Sequence, residues 1–385
     1  EEDKVLTGYY GEYATCRNLS YEEVEANIKA GKPYVLRLRS QGSPDKEITF
    51  VDAIKGEIKL PENIHDIVLL KKDGIPTYHF AHAIDDHLMR TTTVVRGGEW
   101  LASAPIHYEL FHLLGFKMPA YAHTAHLMKF DEETGGKRKL SKRKDPELSL
   151  DYYRKDGYHP YTMKVYLLTL LNSNFEEWHE KFPDKDINEF PFSVEKMNQS
   201  GALFDKDKLH NICKNELSKL SEEELYDFLY DWAKENEPEN VEKWFGDREK
   251  MLQILRLYMG VGAKRRRKDL MYAKQIFELI SYFFDGESAE EMDEFKLDED
   301  MVSKILKSYL AKYDHNDDNS VWFNKLKEIA DEHGFASDMK AYKANPENFK
   351  GNVSDIAEAV RIAVTGRANT PDLWTIVHIM GEEQM

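Results

Sequence analysis

The periodicity of the apolar residues changes at Asp145-Pro146, and this change constrains the fold more than any other feature of the sequence. Before it, alternating segments such as residues 34–39 predict strands, because successive side chains of a strand face opposite sides of a sheet. After it, apolar residues recur every three or four positions, as in residues 166–171 and 225–232, and such stripes predict helices with one buried face. We therefore expect an α/β part followed by an all-α part.

Residues 94–130 carry a strand, helix, strand pattern within the α/β part. Val94-Val95 predicts a strand, and residues 106–114 place apolar side chains at helical spacing up to Gly115. Residues 119–128 predict a second strand that leads towards Gly135-Gly136. Phosphate-binding loops of parallel α/β sheets follow the ends of strands, so this position favours a phosphate-binding role for the glycines and the residues after them.

Residues 137–144 contain six cations among eight residues. So many positive charges in one segment require an anion or bulk water to screen them, and the preceding glycines predict a mobile, exposed loop. On its own, such a run is more often a solvated loop or a chance match to a nuclear-localisation signal than a functional site. The predicted strand before the run favours a phosphate-binding role for it.

Two more segments lie before the strand, helix, strand pattern of residues 94–130. Residues 67–70 and 75–80 flank Asp73-Gly74 and predict a β-hairpin. The adjacent acids Asp85 and Asp86 follow. Neighbouring carboxylates rarely converge on one atom, so a hydrogen-bonded polar loop is favoured over a metal site or an acid–base pair.

Helix boundaries are indicated by local capping signals. Ser20 with Glu23, and Ser221 with Glu224, have the spacing of a capping box, and the first of these helices is expected to end at Gly31. Thr370-Pro371-Asp372 predicts a cap, a proline at the first helical position and an acid in the first turn. The acidic residues 287–300 predict a domain boundary.

The net charge of -17 in 385 residues opposes indiscriminate binding to polyanions. Binding to RNA then requires local basic patches, and residues 264–268 form a second one beside residues 137–144. That second patch is interpreted equally well as a solvated helix start. Trp232, Trp244 and Trp322 could stack on unpaired bases, but the core is the favoured location for them.

Several classes of protein are disfavoured by what the sequence lacks. Cys16 and Cys213 are its two cysteines, which supports neither a disulfide framework nor a cysteine zinc site and favours a reducing cytoplasm. No apolar run reaches membrane-spanning length. Motifs of P-loop, dinucleotide-binding, zincin and α/β-hydrolase proteins are missing.

Four motifs occur in the order and spacing seen in glutamyl-tRNA synthetases. They are residues 74–81 (GIPTYHFA), 85–89 (DDHLM), 95–100 (VRGGEW) and 139–143 (KLSKR). The last resembles the KMSKS-type signature of class I aminoacyl-tRNA synthetases. The helical part, with residues 364–367 (VTGR) and 371–373 (PDL), resembles the anticodon-binding region of the bacterial-type enzyme.

This resemblance implies ATP-dependent activation of glutamate, with Mg²⁺ accompanying the ATP, and transfer of glutamate to tRNA(Glu) by a monomeric cytoplasmic enzyme. It implies a partial Rossmann-type catalytic domain with an inserted α/β acceptor-binding domain, followed by all-α domains that contact the tRNA stem and the anticodon. The expected divisions are 1–75 for the insertion, 76–145 for the second Rossmann half, 146–200 for stem contact, and 201–290 and 291–385 for two anticodon-binding subdomains.

The resemblance also assigns roles to individual residues. Lys142 and Lys139 are the expected catalytic residues, because lysines on a loop can stabilise the charge that develops on departing pyrophosphate. Arg96 is expected to face a substrate carboxylate, since its planar fork matches that group. The remaining assignments are ATP binding by Glu99, Met128, Lys139, Leu140, Ser141, Lys142 and Arg143, and an amino-acid pocket lined by Tyr78, His79, Phe80, Ala81 and His82.

Two departures from the family pattern affect these expectations. Position 82 is His where some relatives have Asn. None of the fourteen histidines forms a HIGH-type signature, so we expect that the chain begins after the first Rossmann half and activates glutamate negligibly by itself. The alternatives are a tRNA-binding module without activity, a helical interaction protein that does not bind RNA, and a glutaminyl-tRNA synthetase-like enzyme. The helical C-terminal half disfavours the last, because those relatives end in β-barrels.

Overall fold

The computed structural model describes residues 9, 11–131, 133–199, 201–284 and 292–382. The chain forms two compact units, an α/β unit of residues 1–141 and 167–204 and a helical unit of residues 142–166 and 205–385. Within the described residues, no helix has both the length and the apolar character needed to cross a bilayer.

Nine strands form three sheets among the described residues. A two-stranded sheet pairs β1 with β4, a four-stranded sheet has the order β3-β2-β6-β5, and a three-stranded sheet has the order β8-β7-β9. The strands are β1 Leu36–Arg37, β2 Glu47–Asp52, β3 Gly56–Pro61, β4 Val68–Leu70, β5 Thr93–Gly97, β6 Ala120–Thr124, β7 Leu127–Phe130, β8 Lys137–Lys139 and β9 Ala202–Leu203.

Both units also contain α-helices. They are α1 Tyr21–Lys29, α2 Tyr78–Leu88, α3 Ala104–Leu113, α4 Leu150–Asp156, α5 Pro160–Leu171, α6 Phe175–Lys181, α7 Lys206–Leu217, α8 Glu222–Asn236, α9 Val241–Phe245, α10 Arg248–Met259, α11 Ala273–Ile280, α12 Glu299–Lys312, α13 Asn319–His333, α14 Met339–Ala344, α15 Val353–Thr365 and α16 Leu373–Met380.

The four-stranded sheet organises the α/β unit. Strands β2, β6 and β5 run parallel, and β3 returns antiparallel to β2. The predicted strand, helix, strand pattern is confirmed as β5, α3 and β6, with a 3-10 segment at Gly98–Ser103 before the helix. Phe50, Ala104 and Tyr121 form a buried cluster on this sheet, so the helix packs where its apolar stripe meets the strands.

The buried carboxylate of Asp52 ties β2 to β6. Asp52 is the last residue of β2 and is 1% exposed. Its Oδ1 accepts hydrogen bonds from the backbone N–H groups of Ile54 and Lys55, both at 2.9 Å. Its Oδ2 accepts from the backbone N–H of His123 at 3.0 Å, and the ring Nδ1 of His123 lies 2.6 Å away. One side chain therefore satisfies donors from the turn after β2 and from β6.

Several predicted strands differ from the observed elements. The strand expected over 34–39 is limited to β1, and the hairpin expected over 67–80 keeps its first strand and its turn but not its second strand. The chain instead enters α2 at Tyr78, after the N–H of Lys71 has bonded to the carbonyl of Ile75 at 2.9 Å. Asp85 and Asp86, expected in a loop, lie on this helix.

The expected strand over 119–128 and the expected loop over 137–144 are also corrected. A break at residues 125–126 separates β6 from β7. Lys137, Arg138 and Lys139 form β8, which pairs antiparallel with β7. Gly135 has φ of +67° in the turn between them, and this left-handed conformation explains a glycine there. The first half of the cationic run is therefore a strand.

Two large hydrophobic clusters lie among the described residues of the helical unit. One joins α8, α10 and α11 through buried residues such as Leu229, Leu255 and Ile276, and the other joins α12, α13 and α15 through Ile305, Leu326 and Val360. Trp232 and Trp322 belong to these clusters, and Trp244 stacks on Phe277 with ring centroids 3.9 Å apart. The favoured core location of these tryptophans is confirmed.

The capping signals are confirmed at two helices and wrong in detail at a third. Ser20 and Ser221 both form capping boxes, with Glu23 and Glu224 as their reciprocal partners. Before α16 the N-cap is Asp372, which accepts from the N–H of Thr375 at 2.9 Å, whereas Thr370 was expected to supply the cap. The carboxylate of Asp372 is the stronger acceptor for this bond, and the hydroxyl of Thr370 accepts a hydrogen bond from Arg361 instead.

The five expected domains stay a prediction. Strands β2 and β3 of the expected insertion share one sheet with β5 and β6 of the expected Rossmann half. Part of the acidic stretch 287–300, where a boundary was expected, lies outside the described residues, and α12 begins at Glu299.

Replacement of Asp52 by Asn should destabilise the four-stranded sheet. The amide of Asn keeps one acceptor oxygen, but its NH2 group faces the N–H groups of His123, which then lose their acceptor. The free energy of unfolding should therefore fall by about 3 kcal/mol, the scale of a lost hydrogen bond to a charged group. Native-state hydrogen exchange should show about 100-fold less protection at the amides of Ile54, Lys55 and His123. The matched control is Asp45→Asn, which removes the same charge from an exposed turn. Equal protection in both variants would contradict this role for Asp52.

Candidate functional site

The candidate site lies at the carboxyl ends of three neighbouring parallel strands. Asp52 ends β2, and Arg96 on β5 is in register with His123 on β6. Open α/β sheets bind their ligands at this edge, because the loops that follow the strands diverge there and leave a crevice.

Arg96 is held by a chain of hydrogen bonds that begins at Asp52. The Nδ1 of His123 lies 2.6 Å from Asp52 Oδ2, so the histidine donates its Nδ1–H to that carboxylate. The opposite ring atom, Nε2, is then free to accept from Arg96 Nε at 2.9 Å. The carboxylate thereby fixes the tautomer of the histidine, and the histidine fixes the guanidinium.

The two Nη atoms of Arg96 contact helix α3 and the segment before it. Both lie 3.3 Å from His107 Nδ1, and Nη2 also donates to the carbonyl oxygen of Trp100 at 3.4 Å. The Nε2 of His107 donates in turn to His79 Nδ1 at 3.0 Å. Within the described part of the chain, every hydrogen-bond acceptor of Arg96 is uncharged, so its positive charge is available to an anion.

One face of α2 completes the cluster. His82 lies 2.9 Å from Asp86 through Nδ1 and 2.8 Å from the Tyr121 hydroxyl through Nε2. Tyr78 stacks over His82 and contacts Trp100, with ring centroids 4.5 Å apart in the second pair. The helix places Tyr78, His82 and Asp86 on one side because they are four residues apart.

The structure brings together four of the six residues expected to bind the amino acid. Tyr78, His79, His82 and Arg96 form one network. Phe80 instead packs against the apolar cluster of Leu38, Leu69 and Phe111, and Ala81 is half-buried on the same helix.

The histidines around Arg96 are neutral near pH 7. Burial lowers the pKa of His107 to about 2, and the nearby His82 and Arg96 act in the same direction. Burial and then Arg96 lower the pKa of His79. For His82 and His123, burial and Arg96 lower the pKa and outweigh the opposing effects of Asp86 and Asp52.

Near pH 7 the carboxyl of Asp52 is ionised and the hydroxyl of Tyr121 is protonated. Burial acts to raise the pKa of Asp52, but hydrogen bonds from Lys55, His123 and Ile54 outweigh burial and lower it. Burial raises the pKa of the Tyr121 hydroxyl, which therefore remains a donor. Arg96 lies over the ring of Tyr121, 4.8 Å from its centroid, so the charge of the site is concentrated on one guanidinium.

Glu99, His126 and Lys139 form a second group. Lys139 Nζ lies 3.8 Å from Glu99 Oε1 and 3.5 Å from His126 Nε2, and His126 Nδ1 lies 3.4 Å from Glu99 Oε2. The backbone N–H of Glu99 itself lowers the pKa of its carboxyl, and Lys139 adds to this effect. A Cβ on Gly97 would lie 2.2 Å from Glu99 Oε2, so the glycine leaves room for the carboxylate.

The remaining residues expected to bind ATP lie on β7, on β8 and beyond. Met128 is opposite Lys139 in the β7–β8 pair. Leu140 is 2% exposed and donates its N–H to the carbonyl of Leu127 at 3.0 Å. Ser141 is half-buried and ends this part of the α/β unit, whereas Lys142 and Arg143 are exposed and belong to the helical unit. Across the described ranges there is no group of three or more His, Cys, Asp or Glu residues suited to hold a metal ion.

Sequence reasoning missed Asp52, Trp100, His107, Tyr121 and His123. These residues are brought to Arg96 by sheet pairing and helix packing, and apart from Trp100, which ends the VRGGEW motif, no local motif marks them. The available signal was positional, since Asp52 and His123 are polar residues at the ends of strands and both are buried.

The His107 imidazole should remain neutral far below the usual pKa of a histidine. Nitrogen chemical shifts of histidine-labelled protein should show no imidazolium at this residue down to about pH 4, with His107→Asn identifying the resonance. Below about pH 6.5 the unfolded chain binds this proton and the folded chain does not, so acid should also lower the free energy of unfolding. An imidazolium signal already present at about pH 6 would contradict the burial argument.

Two ranges of the chain match models of known protein families. Residues 10–211 match the model described as tRNA synthetases class I (E and Q), catalytic domain, and residues 239–385 match an anticodon binding domain. Curated relatives named glutamate–tRNA ligase include one from Acetivibrio thermocellus, 52% identical over 385 residues, and one from Clostridium perfringens strain 13, 46% identical over 386 residues. The alignments cover 100% and 99% of this chain and 70% of each relative.

A solved structure shares the fold. The crystal structure of a glutamate tRNA ligase from Elizabethkingia meningosepticum in complex with its amino acid superposes with a TM-score of 0.68 at 24% identity. The match covers 97% of this chain and 72% of that chain.

Proposed function

Because the chain belongs to the glutamate–tRNA ligase family of class I tRNA synthetases, we propose that the protein joins glutamate to tRNA(Glu) at the expense of ATP. Glutamate attacks the α-phosphate of ATP, glutamyl-adenylate and pyrophosphate form, and the glutamyl group then passes to the terminal ribose of the tRNA. The chain spans 70% of the length of the relatives it matches, so the assays below use the full-length enzyme.

The observation that carries this proposal is the uncompensated charge of Arg96 at the carboxyl ends of β5 and β6. Its hydrogen-bond acceptors are a carbonyl and two neutral histidines, so a substrate carboxylate would be its first anionic partner in the described part of the chain. Tyr78 and Trp100 form an aromatic wall next to it. Asp52, His107 and His123 are positioning residues, because each acts through Arg96 or its neighbours.

We assign the nucleotide side to the second group of residues. Glu99 lies in the 3-10 segment that follows Arg96, and Met128 lies on β7. The residues that would close over ATP and its Mg²⁺ are Lys139, Leu140, Ser141, Lys142 and Arg143. A lysine that reaches the leaving pyrophosphate only in the transition state speeds the chemical step without tightening ground-state binding. We give this role first to Lys142 and second to Lys139.

The remaining partners follow from the same reaction. The helical unit would hold tRNA(Glu) through its anticodon-binding region, and we propose a monomeric cytoplasmic enzyme. A glutaminyl-type activity is the competing enzymatic function, and a catalytically silent tRNA-binding module is the competing non-enzymatic one. Charging assays that cross glutamate and glutamine with tRNA(Glu) and tRNA(Gln) separate these three.

Arg96→Gln should weaken glutamate use. The loss of a charged hydrogen-bonding fork from a carboxylate costs about 2–3 kcal/mol, so the KM for glutamate in tRNA charging should rise roughly 30- to 150-fold. The KM for ATP should change little. Arg39→Gln removes the same charge from an exposed position of the same unit and serves as the control. An unchanged KM for glutamate in Arg96→Gln would remove Arg96 from the proposed pocket.

Lys142→Ala should slow activation without affecting glutamate binding. Deletion of one donor that stabilises transition-state charge costs about 3 kcal/mol, which corresponds to roughly 150-fold in the rate of adenylate formation. Rapid-quench measurements with tRNA present would report this step. Lys155→Ala, which removes an exposed lysine from α4, is the control. A rate equal to that of the control would return Lys142 to the class of solvated surface lysines.

A further inference from the structure

The second cationic segment is a folded loop. Residues 260–271, named here the arginine loop, follow α10 and precede α11. The N–H of Val261 donates to the carbonyl of Arg256 at 2.9 Å, and the N–H of Arg267 donates to the carbonyl of Met259 at 3.0 Å. Gly260 has φ of +65°, and a Cβ there would lie 3.0 Å from Arg267 N, so the loop folds back closely on the end of α10.

The far end of the arginine loop is fixed as well. Lys268 Nζ donates to Asn215 Oδ1 at 2.7 Å, and Arg267 pairs with Asp269 at 2.6 Å. The side-chain amide of Gln275 bonds to the carbonyl of Asp269 and to the N–H of Met271, both at 3.0 Å. The helix expected to start within residues 264–268 begins only at Ala273, so these bonds order a true loop.

The tip of the loop presents three cations to solvent. Lys264, Arg265 and Arg266 are all exposed. Among the described residues none of them lies within ion-pair distance of an acid, although Arg266 contributes to lowering the pKa of the Glu222 carboxyl. The nearby Glu222 is engaged by Arg256, whose Nε lies 3.1 Å from its carboxylate. In a protein of net charge -17, three adjacent unpaired cations are a local exception.

Two further arginines lie beside the base of the loop. Arg367 Nη2 donates to the carbonyl of Glu278 at 3.0 Å, and Arg361 donates to the carbonyl of Pro371 at 2.6 Å. The carbonyl of the neighbouring Leu279 accepts a hydrogen bond from the Tyr258 hydroxyl. Burial raises the pKa of this hydroxyl to about 12, although Arg367 and Arg267 act to lower it. Among the described residues, the hydrogen-bond acceptors of Arg361 and Arg367 are uncharged oxygens. Arg361 is half-buried and also interacts electrostatically with Asp372 and Glu358, so Arg367 is the one of this pair whose charge adds to the basic surface.

We propose that the arginine loop, with Arg367 behind it, binds the phosphate backbone of an RNA stem. This inference rests on the proposed function, which brings a tRNA to the helical unit. The contact is independent of base sequence, because the loop offers no exposed aromatic ring for stacking. Tyr272 at its end is already stacked on Tyr158, with ring centroids 4.6 Å apart. Loop order lowers the entropy lost on binding.

The test compares two triple variants of the 385-residue chain. Lys264→Gln, Arg265→Gln and Arg266→Gln neutralise the loop tip, and Lys340→Gln, Lys343→Gln and Lys350→Gln remove equal charge from exposed positions elsewhere in the same unit. Each is titrated with a tRNA(Glu) transcript and with an unrelated tRNA transcript over a series of salt concentrations. Circular dichroism checks that both variants retain their helix content.

Loss of three phosphate contacts to a duplex stem should reduce the slope of log affinity against log salt by about 2.7, and low-salt affinity should fall roughly 10- to 100-fold. Both transcripts should show the same loss, whereas the control variant should behave like the unmodified chain. Equal slopes for the two variants would overturn the proposal, and a loss confined to tRNA(Glu) would replace backbone contact by base recognition. If the unmodified chain binds neither transcript, the proposed tRNA partner fails as well, which is a different outcome from a failure of the loop alone.

Discussion

The hydrogen bonds that join Asp52, His123 and Arg96 are the interaction on which the α/β unit depends. The same carboxylate ends β2, satisfies the turn after it and receives two donors from β6. Because Asp52 is fully buried, its charge requires all of these donors, and a strand shift that broke one would leave a buried anion underbonded. The position of Arg96 is thus set by the same bonds that hold the sheet together.

The choice of histidine around Arg96 has a physical reason. A carboxylate in the place of His107 or His123 would orient the guanidinium equally well but would also neutralise it, and a bound anion would then gain little. A neutral imidazole accepts the same hydrogen bond and leaves the charge free. Burial keeps His107 and His123 in that state. The site combines a rigid cation with neutral hydrogen-bond acceptors, and among the described residues no carboxylate bonds to Arg96 directly.

Local signals in the sequence predicted the elements that local physics determines. Capping boxes involve residues three apart, and the β5, α3, β6 pattern follows from periodicity, so both were confirmed. Helix α2 was missed because residues 75–80 were interpreted as the second strand of a hairpin, and the helix buries only Ala83 fully, with Phe80 packed beside it. Its N-cap residue Thr77 makes no side-chain capping bond, since that hydroxyl donates to the carbonyl of Val68. Asp52, His107 and His123 come from three separate segments, and only tertiary pairing brings them to Arg96.

The first cationic run shows why a dense charge pattern alone could not be interpreted. A solvated tail would leave all of its residues equally exposed, but this run is divided by Leu140, which is buried and bonded to β7. Before that anchor, Lys139 lies on a paired strand within reach of Glu99. After it, Lys142 and Arg143 are exposed. A buried leucine therefore divides the run into a paired strand and an exposed segment, and the charge pattern of the sequence contains no sign of that division.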